Sequence, residues 1–242
     1  MKEEYCFILD TFERIAPRYG QKYDMEEANR QALAPLIASI EGWILDVGCG
    51  SGTLMEKYLV SAKQEIFTID FSARMIEAAR QRLSYHDKSI RWLRAFALAL
   101  PFSDCAFDAV VCVNTIHNFL SKDDVQTALL EFSRVLKPEG KLILEFRNSY
   151  NLRRRSVAIL YDLASLPQKI YSLSEMKKMM RKAGFEVQRS IPIFNILNNT
   201  HLLHSQFSAL VNTICRTIIP WYAPCIGMVA VKVKNDVEVR KC

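Results

Sequence analysis

The chain has 242 residues, half of them hydrophobic, and a formal charge of +6. That bounds it to one substantial core, and with no Gly/Ser- or Pro-rich linker a single α/β domain with appendages is expected rather than two domains. No apolar run reaches the roughly 20 residues a membrane span needs, and Glu3 and Glu4 place acids where a signal peptide carries bases, so a cytoplasmic protein is expected. The seven cysteines are scattered and nowhere form C-x-x-C, which argues for reduced thiols and against a disulfide framework or zinc ribbon. Arg153, Arg154 and Arg155 form the densest basic run. Such a run suits a solvated face, an acidic group on a substrate, or peripheral contact with an anionic membrane surface.

In chain order, residues 4–16 read as a helix with Tyr5, Ile8, Leu9, Phe12 and Ile15 at helical spacing, ended by Pro17. Asp24 and Glu27 have capping-box form and open a second helix to about Ile40. An apolar run, Trp43, Ile44 and Leu45, then leads into Asp46-Val-Gly-Cys-Gly-Ser-Gly-Thr53, which reads as strand, tight turn, helix. Glycines accept positive φ and carry no Cβ, so a ligand can reach the backbone amides at the positive end of the helix. A dinucleotide loop would need G-x-G-x-x-G, but the third glycine position counted from Gly48 is Thr53, and the third glycine is Gly52.

After a helix from Leu54 to Ala62, the strand Glu65–Asp70 ends in an acid about 20 residues beyond the loop, placed to accept ribose hydroxyls. Ser72 caps the helix over 73–83, leaving Asp70 for that role. A third strand runs from Ile90 to about Phe96, and Asp108–Asn114 is a continuously apolar central strand. Beyond it Thr115-Ile-His-Asn-Phe119 enters the crevice at the strand ends, where α/β folds bind ligands. Ser121 caps a helix with the stripe Val125, Leu129, Phe132 and Leu136; a turn at 137–140 precedes the strand Lys141–Arg147. A helix from Ser172 to Ala183 is stopped by Gly184, and strands are expected over 185–193 and 226–234.

The string Leu45-Asp-Val-Gly-Cys-Gly-Ser-Gly52 resembles the first motif of class I S-adenosylmethionine (SAM) dependent methyltransferases. Leu100-Pro-Phe-Ser-Asp104 with Phe107-Asp108 resembles the family's second signature, and Arg134–Leu142 resembles its R-V-L-K-P-G-G-x-L run, with Glu139 for the first glycine. Phe12–Tyr19 is similar to the N-terminal cap of small-molecule members, including those of ubiquinone and menaquinone synthesis. The resemblance implies a Rossmann-like three-layer sandwich: a seven-stranded, mostly parallel sheet with the last strand antiparallel. Its parts would be an N-terminal helical cap (1–41), a SAM-binding core (42–147), a helical cover (148–171) and an apolar helical insert (194–225). The insert's 207–219 run could be a core helix, a wall for a greasy acceptor or a dimer contact.

The same resemblance implies SAM as cofactor, held by Asp46, Gly48, Cys49, Gly50, Gly52, Asp70, Phe71, Met75, Phe96, Ala97, Asn114 and Thr115. Tyr19 is a candidate lid residue, Tyr23 a second one, and His117 a candidate general base. At Phe96 the family carries an aspartate that accepts a hydrogen bond from the adenine amine. The expected reaction is methyl transfer to a small apolar or amphipathic acceptor. The alternative suggested by Phe96 is a methyltransferase-fold protein that binds or scaffolds without catalysis. Nucleic acid is not expected as acceptor, because Asn114 is followed by Thr-Ile-His and not by Pro-Pro-aromatic. His201 and His204 have an i, i+3 spacing without an accompanying acid or thiol, so no metal is expected.

Overall fold

A computed structural model describes residues 3–19, 27–56, 64–86, 90–150, 166, 169–194 and 213–234. Helices α1 (Cys6–Ile15), α2 (Glu27–Ala38), α3 (Ala73–Arg82), α4 (Lys122–Val135) and α5 (Leu173–Lys182) flank a seven-stranded sheet. Its strands are β1 (Gly42–Val47), β2 (Gln64–Asp70), β3 (Ile90–Arg94), β4 (Phe107–Cys112), β5 (Leu136–Arg147), β6 (Phe185–Ile193) and β7 (Cys225–Lys232). They lie in the order β3-β2-β1-β4-β5-β7-β6, and β7 is antiparallel to both neighbours. The sheet therefore matches the arrangement the sequence implied.

Period-two alternation along the central strands sends one side-chain set to each face. Leu45, Val47, Val110, Cys112, Leu142 and Leu144 pack with α1, α4 and α5. Ile44, Ala109, Val111 and Ile143 pack with Leu33 and Ile37 of α2. Helix starts follow the predicted chemistry. The Ser72 and Ser121 hydroxyls accept from Met75 N–H and Asp124 N–H, and Ser172 forms a full capping box with Glu175. Lys122 bonds the same Glu175, and these hydrogen bonds hold its carboxyl down at about 2.

Three expectations change. Residues 137–140 do not make a turn outside the sheet; they form an irregularity inside β5, between the pairs Phe107–Leu136 and Ala109–Lys141. Pro138 lacks a donor there and Glu139 takes φ 65°, the left-handed conformation that suits the glycine it replaces. Cys105 is disulfide-bonded, against the expectation of reduced thiols throughout, whereas Cys6, Cys49, Cys112, Cys215 and Cys225 are free. The described end of the insert is not a core helix: Ile214, Ile218 and Trp221 are 45%, 70% and 63% exposed. Most of the expected cover, the arginine triplet, Tyr23, His201 and His204 lie outside the described residues.

Candidate cofactor site

At the centre of the sheet the chain leaves β1 toward β2 on one side and β4 on the other, the switch point where parallel α/β sheets open a crevice. Gly48, Gly50 and Gly52 all take positive φ, at 75°, 52° and 79°. Gly48 and Cys49 donate their N–H groups to Ile69 O, which folds the loop back over the end of β2. A Cβ on Gly48 would collide with Thr115 Oγ1, itself bonded to Val47 O and Val113 O. A Cβ on Gly50 would come 3.4 Å from Tyr19 Cε1, so this glycine keeps open the gap beneath the tyrosine ring.

Asp70 locks the loop to β2. Its Oδ2 accepts from Gly50 N–H at 2.9 Å and its Oδ1 from Ser72 N–H at 2.9 Å. Burial lifts its carboxyl to about 6 even so, with the backbone donors of Ser72 and Gly50 pulling the other way. Asp46 lies beneath the loop, 1% exposed, and its Oδ2 has no hydrogen-bond partner. Burial, then the neighbouring Asp70, push that carboxyl up to about 7. A pair of buried acids under a glycine loop is costly unless a cation or donor completes it.

The cleft above the loop encloses about 630 Å³ between protein atoms, open solvent at its mouth included. Of the residues expected to touch cofactor, Tyr19, Gly48, Gly50, Asp70, Phe71, Met75, Phe96, Ala97, Asn114 and Thr115 line it. Asp46, Cys49, Gly52 and His117 do not. Cys49 turns its Sγ to Gly50 O. Gly52 faces α3, where a Cβ would press on Ala79 and Leu83, so it serves helix packing. His117 is 3% exposed in a short 3-10 turn, Ile116–Asn118, while its neighbours Thr115 and Asn118 reach the cleft.

The sequence reading placed a cap with Tyr19 over the site but missed how far the roof extends. Tyr5, Ile8 and Phe12 of the N-terminal segment line the cleft, and Asn118 and Phe119 complete its floor. The Tyr5 hydroxyl donates to Asp124 Oδ2 at 3.1 Å and accepts from Leu120 N–H at 3.2 Å, while Glu13 accepts from Ala73 N–H and Arg74 N–H. These bonds fasten α1 to both sides of the cleft. Glu145 was also missed: 0% exposed, it accepts from Asn114 N–H and holds that residue at φ 58°. An acid inside the apolar run of β5 was the available signal.

A family model described as a methyltransferase domain matches residues 44–140. The chain is 30% identical over 218 residues to a 2-phytyl-1,4-naphthoquinone methyltransferase of Nostoc punctiforme, covering 78% of this chain and 94% of that protein. It is 31% identical over 213 residues to a demethylmenaquinone methyltransferase of Thermus thermophilus, covering 76% and 96%. Among solved structures, a SAM-dependent methyltransferase of Thermotoga maritima, described as a possible histamine N-methyltransferase, superposes with TM-score 0.67 at 22% identity over 92% and 99% of the two chains. The N-methyltransferase NodS of Bradyrhizobium japonicum, in complex with S-adenosyl-L-homocysteine, superposes with TM-score 0.67 at 16% identity over 93% and 98%. Fold and sequence together define a SAM-dependent methyltransferase. Within that class the chain belongs to the ubiquinone/menaquinone type of class I enzymes.

Proposed function

We propose that the cleft binds SAM and that the protein methylates a ring carbon of a small apolar quinone-type acceptor, in its reduced form. The observation that carries this is the buried acid pair beneath the glycine loop, with Asp46 Oδ2 lacking a partner and Gly50 held open under Tyr19. A cationic ligand with a ribose suits that arrangement: Asp70 keeps lone pairs beyond its two backbone bonds, and the Asp46–Asp70 charge favours a cation. SAM, when bound, supplies an electrophilic methyl group on a sulfonium. The acceptor class is supported by the relatives named above as phytyl-naphthoquinone and demethylmenaquinone methyltransferases, and the ring carbon by a relative of Hahella chejuensis, 34% identical over 176 residues, named a ubiquinone/menaquinone biosynthesis C-methyltransferase.

The chain's own part is alignment and exclusion of water. Gly48, Gly50 and Asp70 fix one end of the cleft, Thr115, Asn118 and Phe119 form the other wall, and Tyr19 with α1 closes it from above. Orientation of this kind is worth about 7–11 kcal/mol of barrier. His117 stays off the lining, so it supports the wall instead of taking the acceptor's proton. Calorimetric titration with SAM and S-adenosylhomocysteine tests the cofactor reading; no heat with either would end it. Methyl transfer to a demethylated naphthoquinol tests the acceptor. His117→Ala should keep turnover within about tenfold of the parent, whereas loss of a general base costs roughly 10²–10⁴-fold.

A further inference from the structure

We propose that the base end of the cleft binds a purine by its faces and edges without a side chain that reads the 6-amino group, and that Phe96 sets this tolerance. The inference rests on the SAM-binding reading above. The cleft lining divides chemically at Asp70. On the loop side stand Gly48, Gly50, Asn114, Thr115 and Asn118, which offer hydrogen-bonding groups, beside the apolar Val47, Ile69 and Phe119. On the other side stand Phe71, Met75, Ala95, Phe96 and Ala97, with Ile8 and Phe12 above them. A ligand with an amino-acid tail, a ribose and a base has a complementary order, so ribose at Asp70 sends the base into the second group.

That second group is built as one aromatic wall. The Phe96 ring meets Tyr5 edge-on at 4.7 Å and lies 6.2 Å from Phe71, tilted by 34°, and Phe71 meets Phe12 at 5.9 Å. The Tyr5 hydroxyl is committed away from the cleft to Asp124 and Leu120, and Tyr19, which meets Phe12 edge-on at 6.3 Å, lies at the border with the loop side. Among the described lining residues on this side, no amide, carboxylate or cationic side chain is present. Backbone pins the wall in place: Ala95 N–H donates to Asp70 O, and Ala99 N–H to Phe96 O. Rings and methyl groups reward the flat apolar area of a purine, and main-chain groups near Ala97 can still meet its N1 edge. Nothing in this set of side chains gains from an amine at position 6.

The probes are S-adenosylhomocysteine and its analogue with unsubstituted purine for adenine, which loses the 6-amino group and keeps N1 as an acceptor. Titration calorimetry of the full chain should give dissociation constants within about threefold of each other, below the effect of one net hydrogen bond at its upper range. Phe96→Asp should then create a preference for adenine of about tenfold or more, as a hydrogen bond to a charged acceptor supplies. Phe96→Leu, which keeps the site apolar, should weaken both ligands alike. A tenfold or greater preference for adenine in the parent protein would overturn the proposal and needs no variant to read. Absence of binding by both ligands would instead remove the SAM reading on which it stands.

Discussion

The two ends of the cleft are made by different physics. The loop end is a construction of backbone and buried charge: positive-φ glycines, amides folded onto Ile69 O, and an acid pair raised by burial. The base end is a construction of ring packing, with Phe96 in contact with both Tyr5 and Phe71. Errors at the first end should be sharp and geometric, because backbone cannot move aside. At the second they should be graded, because apolar contact has no directional requirement.

The largest effect should come from Gly48→Ala. The added Cβ meets Thr115 Oγ1 at a φ that L-residues resist, so cofactor affinity is expected to fall at least about 100-fold, read by calorimetry, with a lowered melting temperature. Asp70→Asn comes next. It replaces a charged acceptor at the hub of the loop, and a loss of about 10–150-fold is expected for a hydrogen bond to a charged group. An unchanged dissociation constant would show that the loop end does not depend on charge.

A third test uses pH. Asp46 and Asp70 are raised by burial to about 7 and about 6, so in the folded chain they hold protons that the unfolded chain releases near pH 4. Their contribution to stability is present below that unfolded value and is lost as pH rises through about 7. Cofactor affinity runs the other way. A cationic ligand favours the ionised pair, so binding should be about tenfold tighter at pH 8 than at pH 5.5, with proton release visible across buffers of different ionisation enthalpy. The base end should contribute nothing to that slope, so Phe96→Leu should leave it unchanged. The smallest effect belongs to a site outside both ends. Glu139→Gly relieves a left-handed residue and should stabilise by about 1 kcal/mol, or roughly 2–4 °C in Tm, without altering affinity.

Much of the sheet and of the loop end was legible because local chemistry dictates both. Apolar runs of β length, serine caps and the glycine spacing act within a few residues of one another, so their consequences can be read in order along the chain. Ser172 with Glu175, and the spacing of Gly48, Gly50 and Gly52, needed no knowledge of distant partners. The roof was legible only in part: the Phe12–Tyr19 resemblance pointed to a cap with Tyr19 as lid, but Tyr5 and Ile8 show only a helical stripe, and a stripe does not say whether it covers a core or a cavity. His117 illustrates the same gap in reverse. Its position after β4 put it in the right loop, but the 3-10 turn at Ile116–Asn118 decides which neighbouring side chains enter the cleft. Glu139 stands where the resembling run carries a glycine, and its φ of 65° keeps the glycine's backbone geometry.

The clasp formed by Tyr5 and Glu13 bears on where the working unit of this protein begins. Family matching marks residues 44–140, which contain the glycine loop, Asp70 and Phe96. The ceiling of the same site, from Tyr5 to Tyr19, lies wholly upstream of that stretch and is fastened to it through Asp124, Leu120 and the first turn of α3. A chain trimmed to the matched segment would retain the motifs and open the site to solvent. The site is completed by an N-terminal helix that lies outside the matched stretch.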